Sequence, residues 1–351
     1  MTIDSEKKPH TVFVLGAGAS FEAGLPVGAE LKNRIAKLID IRFSGGHHDH
    51  TGDYAVMEAF RSYGRENRID VNNLLRAAWG IRDAMPQAIS IDNFLDAHRG
   101  NILIEIAGKI AITRAILAAE SKSKLYVNRV NSQLNFGNLD GTWYNKFFQV
   151  LTENCRLDDM PERISAVSII SFNYDRCLRH FLLHSMQNYY QASRQKIEPI
   201  INKLEILYPY GSVGVLPEIE KNHENETPFG EELHGSNLLA IASKIKTFTE
   251  GTDEAASEII RIRQVMQQSS RIFFLGFAFH PLNMELLAPK GTASEDQMQR
   301  VVGTAFGLSN SDIEVISDDL NDRLGSPLQI TLPSITCSDL FSQYSRTLSM
   351  T

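Results

Sequence analysis

Five residues, Gly16-Ala17-Gly18-Ala19-Ser20, stand directly after the apolar run Thr11-Val-Phe-Val-Leu15 and have the composition of a phosphate-holding turn. Glycines at this spacing let the backbone turn tightly and let a phosphate approach its N–H groups, where the dipole of a following helix favours an anion. The turn departs from the full dinucleotide fingerprint: Phe21 holds the third glycine position, and Asp40 falls inside a helical stretch instead of closing a second strand. Its continuation, Phe21-Glu-Ala-Gly24-Leu25-Pro26, adds a glycine and a proline that shape a further loop, expected to cover the ligand. A second group, Ser171-Phe172-Asn173-Tyr174-Asp175, ends a β-branched run. A carboxamide and a carboxylate at the carboxyl end of a parallel strand lie where α/β sheets bind ligands, and a carboxamide can orient a water or a ribose hydroxyl. Both residue types also start helices, so an N-cap is the alternative reading. A third group, Arg271 to His280, reads as a strand turning at Gly276 and Phe277, or simply as a buried strand and its turn.

In this order the three segments resemble the SIR2-like superfamily. Its members open with a strand, Gly-Ala-Gly-Ala-Ser and Gly-Leu/Ile-Pro, carry Asn-x-Asp at a later strand end, and meet the nucleotide again at a late strand-glycine segment. The resemblance covers Thr11 to His280. It implies a single NAD-binding domain over residues 1–351, with nucleotide contacts at Gly16, Ala17, Gly18, Ala19, Ser20, Gly24, Pro26, Asn173, Asp175, Gly211, Ser212, Gly276 and Phe277. It also implies a catalytic Asn173. Family members usually carry a histidine before a Gly-Ser at the intervening strand end; here Tyr210 stands before Gly211-Ser212, with Tyr208 a second phenol nearby. A phenol with an ordinary pKa of about 10 exchanges a proton near neutrality only if its surroundings shift it strongly, although it can still bond a ribose hydroxyl. The string Leu233-His234-Gly235-Ser236 offers His234 as another base, but it follows an acidic, turn-rich stretch and not a β run.

Protein deacetylases of this superfamily usually carry a four-cysteine zinc module, which Cys155, Cys177 and Cys337, far apart and without CxxC spacing, do not supply. No zinc is expected. The zinc-less bacterial members are commonly NAD hydrolases of anti-phage defence, so the resemblance implies NAD hydrolysis, with an activating protein partner or homo-oligomer. A nucleotide-binding sensor that has lost the base is the runner-up, and a nucleotide-independent interaction protein a third possibility. His47, His48 and His50 have no matching carboxylate or thiolate set, and a loop reading is preferred to a metal site. Asp92 and Asp96 resemble a segment in the helical region of bacterial SIR2-like proteins, with a capped amphipathic helix as the preferred reading.

The elements that must hold these groups read as α/β. Runs at Thr11–Leu15, Ala166–Ser171, Leu204–Tyr208 and Arg271–Leu275 are strand-like, with Leu328–Leu332 as a last strand. Helical spacing marks Ala29–Asp40, Arg176–Tyr190, Leu238–Thr249 and Ile313–Leu324. Residues 54–150 carry helical spacing without a strand-like run and read as a helical insertion, and 217–235 as an exposed loop. Alternating strands and helices predict a three-layer, Rossmann-like domain with a mainly parallel sheet. A chain of 351 residues, 43% hydrophobic, supports a core of that size. Its net charge of −7 does not indicate nucleic acid as a partner. With no apolar signal core near Met1 and no apolar run long enough for a span, a cytoplasmic location without membrane contact is expected.

Overall fold

A computed structural model describes residues 10–43, 51–128, 133–220, 223–251, 257–289, 298–324 and 328–350. His47, His48 and His50 lie outside the described residues. Six strands form one all-parallel sheet: β1 Thr11–Leu15, β2 Val167–Ser171, β3 Glu205–Leu207, β4 Arg271–Leu275, β5 Gln299–Gly303 and β6 Leu328–Thr331. Their spatial order, β3-β2-β1-β4-β5-β6, is that of nucleotide-binding doubly wound sheets and reverses direction between β1 and β4. Leu15 pairs with both Ser171 and Leu275, so three strands end level. Gly16, Phe172 and Gly276 therefore leave the sheet side by side.

Between β1 and β2 the described residues hold helices only: α1 Ala17–Phe21, α2 Gly28–Leu38, α3 Tyr54–Asn67, α4 Val71–Ala84, α5 Ile91–Ala97, α6 Ile102–Glu120, α7 Trp143–Thr152 and α8 Met160–Ser165, with short 3-10 turns. After β2 come α9 Cys177–Tyr189 and α10 Arg194–Ile201, and between β3 and β4 α11 Gly235–Ala242, α12 Phe248–Gly251 and α13 Ser257–Gln268. The last helices are α14 Pro281–Leu287, α15 Asn310–Leu324, α16 Cys337–Gln343 and α17 Ser345–Leu348.

Alternation along β1 divides the core. Val12 and Val14 face one apolar layer built with α2 to α6 and α11 to α15, while Phe13 and Leu15 face another built with α1, α7 to α10 and α16. The three-layer, Rossmann-like reading is what the chain adopts. The helical stretch 54–150 is shared between the layers: α3 to α6 cover one face, and α7 brings Trp143 and Phe147 to the other. Helix α6 lacks a polar face and, from Ala107 to Thr113, runs buried through the first layer.

One helix ends earlier than expected and one strand was not expected. The helix expected over Leu238–Thr249 ends at Ala242, because Lys246 N–H is drawn to Tyr210 O at 3.0 Å before the chain resumes helix at Phe248. Strand β5 carries a buried Gln299, whose Nε2 donates to Met266 O (3.0 Å) and Ser269 O (2.8 Å), so its sequence lacks the continuous apolar run that marks β1 and β4.

Candidate functional site

The carboxyl ends of β1 and β4 meet through bare backbone. Gly16 N–H donates to Leu275 O and Gly18 N–H to Gly276 O, both at 3.0 Å, continuing the pairing past the strands. A Cβ on Gly16 would lie 2.5 Å from Gly276 O, and one on Gly18 would lie 2.8 Å from Gly276 Cα. Gly276 itself is left-handed (φ 55) and donates its N–H to Thr304 Oγ1 at 2.8 Å. The three glycines thus serve the close passage of two chain segments at the point where the strand order reverses. This sharpens the expectation of a phosphate cradle: the Gly18 N–H is already bonded, Ala19 and Ser20 are buried, and Ala17 is the exposed residue of the turn. The loop Gly24–Pro26 folds back on the end of α6, with Gly24 at φ 96 and Lys124 N–H donating to Ala23 O at 2.9 Å.

Beyond β2, successive residues point to opposite faces. On one face Asn173, 8% exposed, donates through Nδ2 to Gly16 O (2.9 Å) and to Ser20 Oγ (3.0 Å), which leaves Oδ1 without a partner among the described residues. Asp175, equally buried, accepts from Cys177 N–H at 3.0 Å and interacts with Ser20. Burial raises its proton affinity above the usual carboxylate range, and the bonds from Ser20 and Cys177 oppose that rise. The N-cap reading fits Asp175 only in part: its carboxylate accepts the N–H of Cys177, the first residue of α9, while Arg176 holds the cap position without a side-chain bond. Ser20, Ser171, Asn173, Asp175, Tyr144 and Tyr208 line a small cavity of about 10 Å³, room for about one water molecule.

On the other face lie Phe172, Tyr174 and Tyr210. The Tyr210 hydroxyl donates to Asn283 Oδ1 at 2.6 Å, and its ring packs on Phe172 and Phe248. Burial, with Asp92 and Asp96 nearby, pushes its phenol further from ionisation, so it is not a proton acceptor near neutral pH. Tyr208, and not Tyr210, shares the cavity with Asn173. The two phenols part because Gly211 N–H bonds back to Tyr208 O at 2.8 Å in a turn that places Gly211 at φ 74 against Lys244. Ser212 Oγ donates to Gly214 O at 3.1 Å and holds the next bend. Phe277 is a core residue, packed between Phe172 and Phe274.

Tyr174 donates to Asp92 Oδ1 at 2.5 Å. The capped-helix reading holds for α5, whose cap is Ser90, but Asp92 does more than face solvent. It joins the insertion to the Asn-x-Asp segment. No sequence signal pointed to this pairing, nor to Tyr144, which reaches the Ser20 cavity from α7.

A buried ion pair backs the Asn173 face. Arg176, the residue after Asp175, donates to both oxygens of Glu120 at the end of α6 (Nε to Oε1 3.2 Å, Nη2 to Oε2 2.5 Å) and to the carbonyls of Thr227 and Pro228. In the stretch 217–235, read from the sequence as an exposed loop, the described residues include buried Ile219, Thr227 and Phe229, held down by this pair and by His180, stacked 4.0 Å from Phe229, and Gly235 starts α11. His234 begins α11 with Nδ1 3.7 Å from Glu58 on α3, half-exposed, and makes no bond to the Asn173 or Tyr210 groups.

Among the described residues no three His, Cys, Asp or Glu side chains gather in a metal-holding group, and no helix is long and apolar enough to cross a membrane. Cys177 and Cys337 are buried, and burial pushes the Cys337 thiol up to about 12. Comparison of the sequence with protein-family models and with curated proteins finds no match.

Proposed function

We propose that the chain binds NAD over the carboxyl ends of β1, β2 and β4 and hydrolyses its nicotinamide–ribose bond. The observation that carries this reading is the convergence of Asn173 and Asp175 on Ser20 at the reversal point of the sheet, where open α/β folds take their ligands. Asn173 keeps Oδ1 available to hold a water. Water adds to C1′ of the ribose, the C1′–nitrogen bond breaks with its electron pair passing to the nicotinamide ring, and one proton goes to solvent. Positioning and fixed dipoles serve the oxocarbenium-like transition state. The exposed Ala17 turn meets the pyrophosphate, Asp175 shapes the nucleotide pocket, and Tyr210 orients ribose hydroxyls. A cavity that holds one water is too small for a nicotinamide ring, so ring entry requires Tyr144 or Tyr208 to move. The SIR2-like resemblance adds a role in anti-phage defence, with turnover released by a partner protein or by assembly of copies.

Chromatography of purified protein incubated with NAD, alone and with candidate activators, tests the reading. Wild type is expected to release nicotinamide, and Asn173→Ala to lose about 100-fold or more of that rate; equal rates in the two proteins would sink it. The state of Tyr210, neutral and bonded to Asn283, favours one second reading: a sensor that binds NAD or ADP-ribose without cleaving it. Binding with no release under any activator would select the sensor.

A further inference from the structure

Most polar groups that wall the Asn173 cavity are already engaged with one another. Ser20 Oγ accepts from Asn173 Nδ2 at 3.0 Å and interacts with Asp175 and Tyr144, while Ser171 Oγ accepts from Asn173 N–H at 3.3 Å. Asp175 also holds Cys177 N–H. Two polar atoms of the wall have no partner among the described residues: Asn173 Oδ1, which can only accept, and the Tyr208 hydroxyl, which can donate. Tyr208 is the first residue beyond β3, and its backbone is fixed on both sides. Its N–H donates to Glu258 Oε1 of α13 at 3.0 Å, and its carbonyl accepts from Gly211 N–H at 2.8 Å. Burial pushes the phenol away from ionisation, with Arg179 of α9 opposing the rise and Asp175 adding to it, so the hydroxyl keeps its proton near neutral pH.

We infer that Tyr208 is the second water-holding residue of the site, donating its hydroxyl hydrogen to the same water that donates to Asn173 Oδ1. This rests on the NAD-hydrolysis reading above. The cavity has room for about one water, and an acceptor and a donor on its wall fix that molecule at two points. One lone pair and one hydrogen of the water stay free. The lone pair forms the bond to C1′ while the C1′–nitrogen electron pair leaves with nicotinamide, and the free hydrogen passes to solvent as a proton. Tyr208 keeps its own proton throughout. A water fixed in this way is oriented for attack, and a cavity of about 10 Å³ favours it over a nucleophile larger by a methyl group.

The full chain and its Tyr208→Phe variant are incubated with NAD in graded methanol, and ADP-ribose is separated from its 1″-O-methyl derivative by chromatography, with a thermal melt of each protein. Tyr208→Phe keeps the ring and loses only a hydroxyl that has no protein partner, so its melting temperature is expected to equal or exceed that of wild type. Its kcat is expected to fall about 10- to 100-fold with KM within about threefold. The methanol share of the product is expected to rise, because the group that selects water is gone. A variant with kcat and product ratio within about twofold of wild type overturns this assignment and leaves hydrolysis standing. So does a slower variant that melts lower with its product ratio unmoved, since that pattern marks a structural role. A wild type that binds NAD and never cleaves it overturns both.

Discussion

The two faces of the sheet edge beyond β2 use alternate residues of one short segment for different chemistry. Asn173 and Asp175 meet hydroxyls: Ser20, Ser171, Tyr144 and Tyr208 close around them, and the space left holds about one water. Phe172 and Tyr174 meet rings and a carboxylate, from Tyr210, Phe277 and Asp92, and Tyr210 beside them donates to the Asn283 carboxamide. The first face can position a neutral molecule but has no unbonded base, since Asp175 is tied to Ser20 and Cys177. The second has a carboxylate, Asp92, tied to Tyr174, but no carboxamide oriented on the β1 turn. A motif read as Asn-x-Asp therefore takes much of its meaning from the intervening residue, which carries the link to the helical insertion.

The largest expected effect strikes the first face alone. Glu120→Ala leaves Arg176 buried without its counter-charge, directly behind Asp175, and is expected to cost about 3–5 kcal/mol of unfolding free energy. Urea denaturation measures it. The loop at Thr227 to Gly230, held by the same pair, should gain protease cleavage before the global transition, whereas the contacts of Tyr210 and Asn283 do not involve it. A loss below about 1 kcal/mol would show that the two faces do not differ in this support.

Much of this architecture could be read from the residues, for physical reasons that also explain the failures. Strands buried on both faces must be apolar throughout, so β1, β2 and β4 announce themselves, and the glycines that end two of them are required by backbones passing too close for a Cβ. Gln299 hides β5 because its side chain is satisfied locally by Met266 and Ser269, a bond that no apolar pattern reports. The assignment of Tyr210 to Asn173's neighbourhood came from motif spacing. A turn closed between Tyr208 and Gly211 rotates the following residue to the other face, and spacing along the chain cannot register that rotation. Asp92 and Tyr174 are 82 positions apart and Ser20 and Asn173 153 apart, so each site pairing depends on the whole crossover being folded.

A smaller and pH-dependent effect separates stability from function on the first face. Burial raises the folded-state pKa of Asp175 above its unfolded value. Its contribution to stability is therefore fully present below the ordinary carboxylate pKa of about 4 and lost as pH rises through the folded value. Asp175→Asn keeps the acceptor for Cys177 N–H and carries no buried charge. Its melting temperature is expected to exceed that of wild type at pH 7 by a few degrees, with the difference closing toward pH 4, while NAD affinity falls. A wild type that melts higher at every pH would mean that the charge is held by partners stronger than Ser20 and Cys177.

The smallest effect falls on the second face and decides what Tyr210 does. Tyr210→Phe keeps the ring contacts with Phe172 and Phe248 and removes the bond to Asn283, a loss of about 1 kcal/mol in a thermal or urea melt. A phenol that orients ribose hydroxyls raises KM when it is removed and leaves the acid limb of nicotinamide release where it was. A phenol that served as the base would lower kcat by orders of magnitude and erase a limb. Because the same hydroxyl already donates to Asn283, the first outcome is expected, with Tyr210 a wall of the second face and not a base.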